Sequence, residues 1–216
     1  MTQDNARRAT GNGADSAPAT PGHDRVIAET RAWVRRAVIG LNLCPFARGV
    51  DAKDQVRYVV TDAADPEALL TALCIELQRL ADTDPEIVDT TLLIHPGVMK
   101  DFEDFNDFFE LADVAVEEMN LDGELQVASF HPQFQFADTD PDDITNATNR
   151  SLFPTLHILR EDSVDRAVAA FPTAEAIFEN NMRTLEKIGL EGWTTLREQW
   201  EQDAAVEAAR KDKAAD

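Results

Sequence analysis

Apolar residues recur along this chain with two alternating periods, and that alternation predicts most of its architecture. A helical spacing starts at Asp24, with Val26, Ile27, Trp33, Val34, Ala37, Val38 and Leu41 on one stripe and Arg31, Arg35 and Arg36 off it. Asp24 is placed to cap this helix, and Gly40 with Pro45 marks where it weakens and ends. Residues 55–61 (Gln-Val-Arg-Tyr-Val-Val-Thr) are enriched in β-branched and aromatic side chains and predict a first strand. Leu69, Leu70, Leu73, Leu77 and Leu80 then predict an amphipathic helix to about Ala81, with Cys74 on its apolar face. Residues 89–94 predict a second strand, which His95-Pro96-Gly97 ends because proline removes a ladder donor. A helix over about 100–119 follows, with Phe102, Phe105, Phe109, Ala112, Val116 and Met119 as its buried stripe and acids on the other face.

Asp122-Gly123 signals a turn into a third strand, 124–130, which closes on His131-Pro132 just as the second closes on His95-Pro96. A polar loop over 132–154 separates it from a fourth strand, 155–161. A short helix from Asp162 or Ser163 runs through Ala170 and stops at Pro172. Thr173 is placed to cap the next helix, whose Ala176, Ile177, Asn180, Leu185 and Ile188 lead to Gly189. The segment Trp193 to Trp200 packs on its end, and beyond about Ala204 a frayed helix is expected. Residues 1–23, rich in Ala, Thr, Gly, Asn and Pro, have no apolar period and read as a disordered tail that includes His23.

The order α-β-α-β-α-β-loop-β-α-α predicts one α/β (or α+β) domain over 24–204. Its sheet is expected to be mixed and four-stranded, with three parallel strands joined by right-handed crossovers plus one antiparallel strand. Residues just past the carboxyl ends of such strands line the edge where α/β folds bind ligands. His95 and His131 hold equivalent positions there, and the 132–154 loop leaves from the same edge.

Charge then narrows the partners. The formal charge is −21, and between Lys100 and Arg150 there are fourteen Asp and Glu and no Lys or Arg. Such a surface repels phosphates, so nucleic acid and anionic membrane surfaces are disfavoured; it either keeps the protein in solution or attracts a cation or a basic partner. No apolar run approaches the roughly 18 residues of a membrane span, and no signal-peptide core opens the chain. With Cys44 and Cys74 as free thiols, a cytoplasmic protein is expected, and the glycosylation patterns at Asn146 and Asn149 are then coincidental.

The candidate chemistry gathers around the loop. A structureless connection of about twenty residues inside a compact domain is usually functional or disordered. Phe134, Phe136, Ile144 and Phe153 argue for anchoring. Asn146, Thr148, Asn149, Arg150 and Ser151 form a compact donor set. Arg150, with Asn146 and Asn149, is suited to hold a small anionic molecule, or else to neutralise Asp138, Asp140, Asp142 or Asp143. His157 shares a strand face with Thr155 and Leu159, with Arg160 on the other; both are candidate substrate-binding residues, a hydrogen-bonded core role being the alternative for His157. His131 is the candidate acid or base. His95 would assist it or share a divalent metal with it and a carboxylate, although no tight ligand spacing is present. Cys44 is a candidate nucleophile if the first helix delivers it to the same edge, and otherwise an inert buried residue. These features predict a small-molecule enzyme acting on an anionic substrate at the carboxyl edge, beneath the loop. The alternative is a non-catalytic binding or assembly protein whose acidic surface engages a basic partner.

Three stretches carry a family resemblance: Ala37-Val-Ile-Gly-Leu-Asn-Leu-Cys-Pro-Phe-Ala47, Leu125-Gln-Val-Ala-Ser-Phe-His-Pro132, and Thr148-Asn-Arg-Ser151 with Pro154-Thr-Leu-His-Ile-Leu-Arg-Glu161. Over about residues 26–200 the chain resembles the DUF1415 family, bacterial and some eukaryotic proteins of unknown function. Members often carry Pro where this chain has Leu152. The resemblance implies no activity, cofactor or catalytic residue.

Overall fold

A computed structural model of the protein describes residues 22–169 and 174–215. The expected disordered tail, apart from residues 22 and 23, and the expected stop and cap at Pro172 and Thr173 lie outside those residues. The first helix, α1 (His23–Trp33), continues into a π-helical turn, Val34–Ile39. That wider turn shifts the helical register, and Val34 and Ala37 stay buried with Trp33 across it. His23 opens α1, and its Nε2 lies 2.8 Å from an Asp62 carboxylate oxygen at the surface. A six-residue helix, α2 (Ala47–Ala52), follows the Pro45 break; it is too short for an apolar period to announce.

The remaining elements are β1 (Val56–Val60), α3 (Pro66–Asp82), β2 (Thr90–Ile94), α4 (Phe102–Glu118), β3 (Leu125–Phe130), a 3-10 helix within the loop (Ile144–Thr148), β4 (Thr155–Arg160), α5 (Glu161–Val168) and α6 (Ala174–Ala215). Two starts follow local chemistry. Asp65 accepts from the Ala68 N–H at 2.8 Å, with Pro66 in the first helical position. Asp101 accepts from the Glu103 and Asp104 N–H groups at 2.9 and 3.2 Å. On α4 the deep positions are Phe105, Phe108, Ala112, Ala115 and Val116, while Phe102, Phe109 and Met119 pack at the margin of the same cluster.

The sheet order is β1-β2-β4-β3. The expected three parallel strands plus one antiparallel strand are therefore corrected: only β1 and β2 pair in parallel, and β4 runs antiparallel to both β2 and β3. The crossover through α4 leaves a gap one strand wide, and the returning β4 fills it, satisfying both ladders. Two antiparallel steps cancel, so β2 and β3 still end on the same edge.

Both sheet faces are covered. Leu93, Leu156 and Ile158 meet Leu69, Leu73, Leu77 and Phe105 of α3 and α4 on one face. On the other, strand partners form three rows: Val56-Thr90-Leu159-Gln126, Tyr58-Leu92-His157-Ala128 and Val60-Ile94-Thr155-Phe130. Trp33, Val34 and Ala37 cover part of this second face together with Trp200 and Ala204 of α6. Helix α6 kinks at Gly189, whose φ of 62° suits glycine. It does not stop near Ala204. Arg31 to Glu207 and Arg36 to Asp203, both at 2.6 Å, tie its last turns to α1 and the π-helical turn.

Candidate functional site

The carboxyl edge brings His95 and His131 together but leaves them little free chemistry. Both rings flank Phe105, with centroids 5.5 and 5.2 Å away. The Gln133 N–H donates to His131 Nδ1 at 3.1 Å, so the ring proton sits on Nε2, which donates to the Met99 carbonyl at 3.2 Å. Both nitrogens of His131 are thus engaged with backbone. His95 Nδ1 donates to the Val98 carbonyl at 3.1 Å, leaving Nε2 buried without a partner among the described residues. Burial lowers both imidazoles below the usual histidine value, His95 to about 4. Among the described residues no cluster of three or more His, Cys, Asp or Glu is placed to hold a metal ion. The pair could not offer two free nitrogens to one in any case.

The loop side chains mostly hold the loop itself. Asn146 is fully buried: Oδ1 accepts from the Phe136 N–H and the Thr139 hydroxyl, both at 2.9 Å, and Nδ2 donates to the Asp140 carbonyl. Arg150 donates to the Phe134 carbonyl at 2.9 Å and the Pro141 carbonyl at 2.7 Å. Its guanidinium feels the charges of Asp142 and Asp143 without bonding either, so it staples two backbone points rather than pairing with the loop acids. Phe134 packs on Phe102, and Phe136 on Phe178 of α6, which anchors the start of the loop, while Phe153 packs into the second-face cluster at its end. Arg160 lies on the other sheet face, where its Nη2 donates to the carbonyls of Leu80, Thr83 and Val88.

A different group converges on the second sheet face. A chamber of about 270 Å³ lies between that face and its helical cover. Thr90, Leu92, Gln126, Ala128, His157 and Leu159 form the sheet floor. Trp33, Val34, Val38, Cys44, Phe46 and Val50 contribute from the α1–α2 side, Asn149 from the end of the loop, and Val164, Ile177 and Asn181 from α5 and α6. The lining is mainly apolar and contains no Asp, Glu, Lys or Arg among the described residues. His95, His131, Asn146, Arg150 and Arg160 do not line it.

Two local devices place the thiol and the imidazole on this chamber. The π-helical turn and its sequel hold the Cys44 segment through Leu43 N–H to Val38 O at 2.9 Å, and Asn181 Nδ2 donates to Leu43 O at 2.8 Å. Desolvation raises the Cys44 thiol above its ordinary value, while the N–H groups of Ala47 and Phe46 act in the opposite direction. His157 follows from strand alternation, and its ring is surrounded by protein yet keeps accessible surface, which the chamber supplies. The Thr90 hydroxyl donates to Ile158 O at 2.7 Å, so its oxygen must accept from His157 Nε2, also at 2.7 Å. The tautomer is then set, and Nδ1 keeps its lone pair with no partner among the described residues. Desolvation lowers this imidazole to about 4, so it is neutral at pH 7. The side-chain amides of Gln126 and Asn149 are likewise unengaged among the described residues, and the Asn149 backbone carbonyl accepts from the His131 N–H at 3.2 Å, which holds the residue in place.

Of the expected site residues, the fold thus brings together Cys44, Asn149 and His157. It pairs His95 with His131 elsewhere, and sets Asn146, Arg150 and Arg160 to backbone bonding. Thr90 and Gln126 escaped the sequence reading. Their signal was present: each occupies an inward position on a strand whose other inward residues are apolar.

No described helix is long and apolar enough to cross a membrane. The model of DUF1415, a protein of unknown function, matches residues 25–195. No curated protein and no solved structure matches the chain.

Proposed function

This chain belongs to the DUF1415 family, and we propose that its task is to bind a small, neutral, largely apolar molecule in the chamber above the second sheet face. The observation that carries this reading is His157. Its Nδ1 has no hydrogen-bond partner among the described residues and its ring keeps some accessible surface, so this nitrogen is open to a donor in the chamber. A ligand hydroxyl or N–H donating to Nδ1 would do so, with the amides of Asn149 and Gln126 available for a carbonyl. The apolar walls favour a compact hydrocarbon body, and 270 Å³ is near the lower end of the range of small-molecule pockets. An anionic substrate finds less support, because no cationic side chain lines the chamber and Arg150 is engaged with two carbonyls.

Binding of prodan, a neutral environment-sensitive dye, tests the reading. The dye should be taken up, displaced by neutral alcohols and amides, and excluded by Ala128→Phe, which fills the floor. His157→Leu should weaken ligands carrying a donor by about tenfold, the worth of one hydrogen bond. Preferential displacement by carboxylates, or unchanged uptake in Ala128→Phe, would overturn it.

A further inference from the structure

We propose that Cys44 captures a small neutral α,β-unsaturated carbonyl compound in the chamber, with His157 carrying the thiol proton. The inference rests on the chamber being the small-molecule site. Cys44 reaches it from the helical cover and His157 from the sheet floor. Both line the same chamber and no hydrogen bond joins them among the described residues, so the reacting molecule is placed between them. The segment presenting the thiol is fixed by Asn181 and by Leu43, and the imidazole is fixed by Thr90. Neither group needs to reorganise for a ligand.

The chemistry balances within the chamber. The S–H bond breaks and its proton passes to His157 Nδ1. The sulfur electron pair forms a bond to the β-carbon, and the π electrons move to the carbonyl oxygen, which the Asn149 or Gln126 amide N–H can hold. The proton then passes from Nδ1 to the α-carbon. Nothing is oxidised or reduced by an outside reagent, and reactants and product are all neutral, as a lining without charged side chains favours. A thiol raised by desolvation is protonated at neutral pH and reacts slowly with general alkylating agents. His157, lowered to about 4, is too weak a base to strip the thiol beforehand, so it relays the proton only as the S–C bond forms.

Mass spectrometry of the full chain incubated with 2-cyclohexenone, and separately with iodoacetate, tests this. Cys74, on α3, of the same intermediate exposure as Cys44 but not lining the chamber, serves as the internal control. The enone should add once, at Cys44, about tenfold or more faster than at Cys74, whereas iodoacetate should favour Cys74. Cys44→Ser should abolish the adduct. His157→Gln should slow it by at least about tenfold, within the roughly hundredfold or more that a well-placed acid–base group contributes, while the rate at Cys74 in the same protein is unchanged. Equal labelling of the two cysteines, faster reaction of Cys44 with the anion, or an unchanged rate in His157→Gln would overturn the inference. Prodan uptake without enone addition at Cys44 would sink the covalent step alone and leave the binding reading standing. Prodan uptake that Ala128→Phe fails to block would remove both.

Discussion

The hydroxyl of Thr90 stands 2.7 Å from His157 Nε2 and 2.7 Å from the Ile158 carbonyl, and this one contact decides which imidazole nitrogen faces the chamber. Thr90→Val keeps the shape and removes the acceptor, leaving a buried ring N–H unpaired. Urea denaturation should show a loss of about 1–3 kcal/mol. Thr90→Ser should retain most of the stability, and donor-bearing ligands should bind less tightly to the valine variant because the ring is free to choose its other tautomer.

Acid stability should follow the buried histidines. His95 and His157 both titrate at about 4 in the folded protein, below the unfolded value near 6.5. Between those values the unfolded chain binds the extra protons, so stability is complete above about pH 6.5, falls as pH drops toward 4, and flattens below that. Each group contributes on the order of 3 kcal/mol to the total loss of stability across that window. Replacing His157 with Gln should remove its share of the pH dependence in denaturation midpoints measured from pH 7 to 4. An equally steep profile in that variant would show that His157 does not titrate as assigned.

Arg160 provides a separation of structure from site. Its guanidinium gathers the carbonyls of Leu80, Thr83 and Val88 at the end of α3 and before β2. Arg160→Met should lower stability by about 2–4 kcal/mol by leaving those carbonyls unpaired. Prodan affinity at a temperature where the variant is folded should be unchanged. A loss of affinity in a fully folded variant would return Arg160 to the binding residues.

The loop staple predicts a local effect. Arg150→Gln removes the bridge between Phe134 O and Pro141 O while Asn146 still binds its three partners. Amide exchange over residues 134–143 should accelerate several-fold at near-native global stability, since local opening costs less than unfolding. Unchanged exchange there would mean that Asn146 alone holds the loop.

Gly40 follows the π-helical turn, and a Cβ there would run into the Arg36 carbonyl oxygen. Gly40→Ala should therefore disturb the segment that presents Cys44. It should lower the melting temperature by several degrees, as expected for a change of 1–2 kcal/mol in a domain of this size. The same substitution at Gly49, whose Cβ would meet nothing within 4 Å, should be well tolerated.

Much of this molecule could be derived from the chain alone, because helix and strand periods are local properties. The leucine spacing of α3, the caps at Asp65 and Asp101 and the inward set Thr155-His157-Leu159 need only neighbours a few residues away. The meeting of His95 and His131 also followed, since two strands ending in His-Pro and running the same way bring those residues to one edge. Strand order was a different matter. Whether β4 joined the outside of the sheet or entered between β2 and β3 depended on where a polar loop returned, and alternation carries no information about which strand is adjacent. That insertion puts His157 beside Thr90 and Gln126's row beside it, turning three inward polar residues on separate strands into one floor. Likewise, the π-helical turn adds a rotation that no apolar period records, and it carries Cys44 to the sheet face instead of the edge with His131. Residue types and faces are set by local spacing; the chamber exists only because long-range pairing placed those faces together.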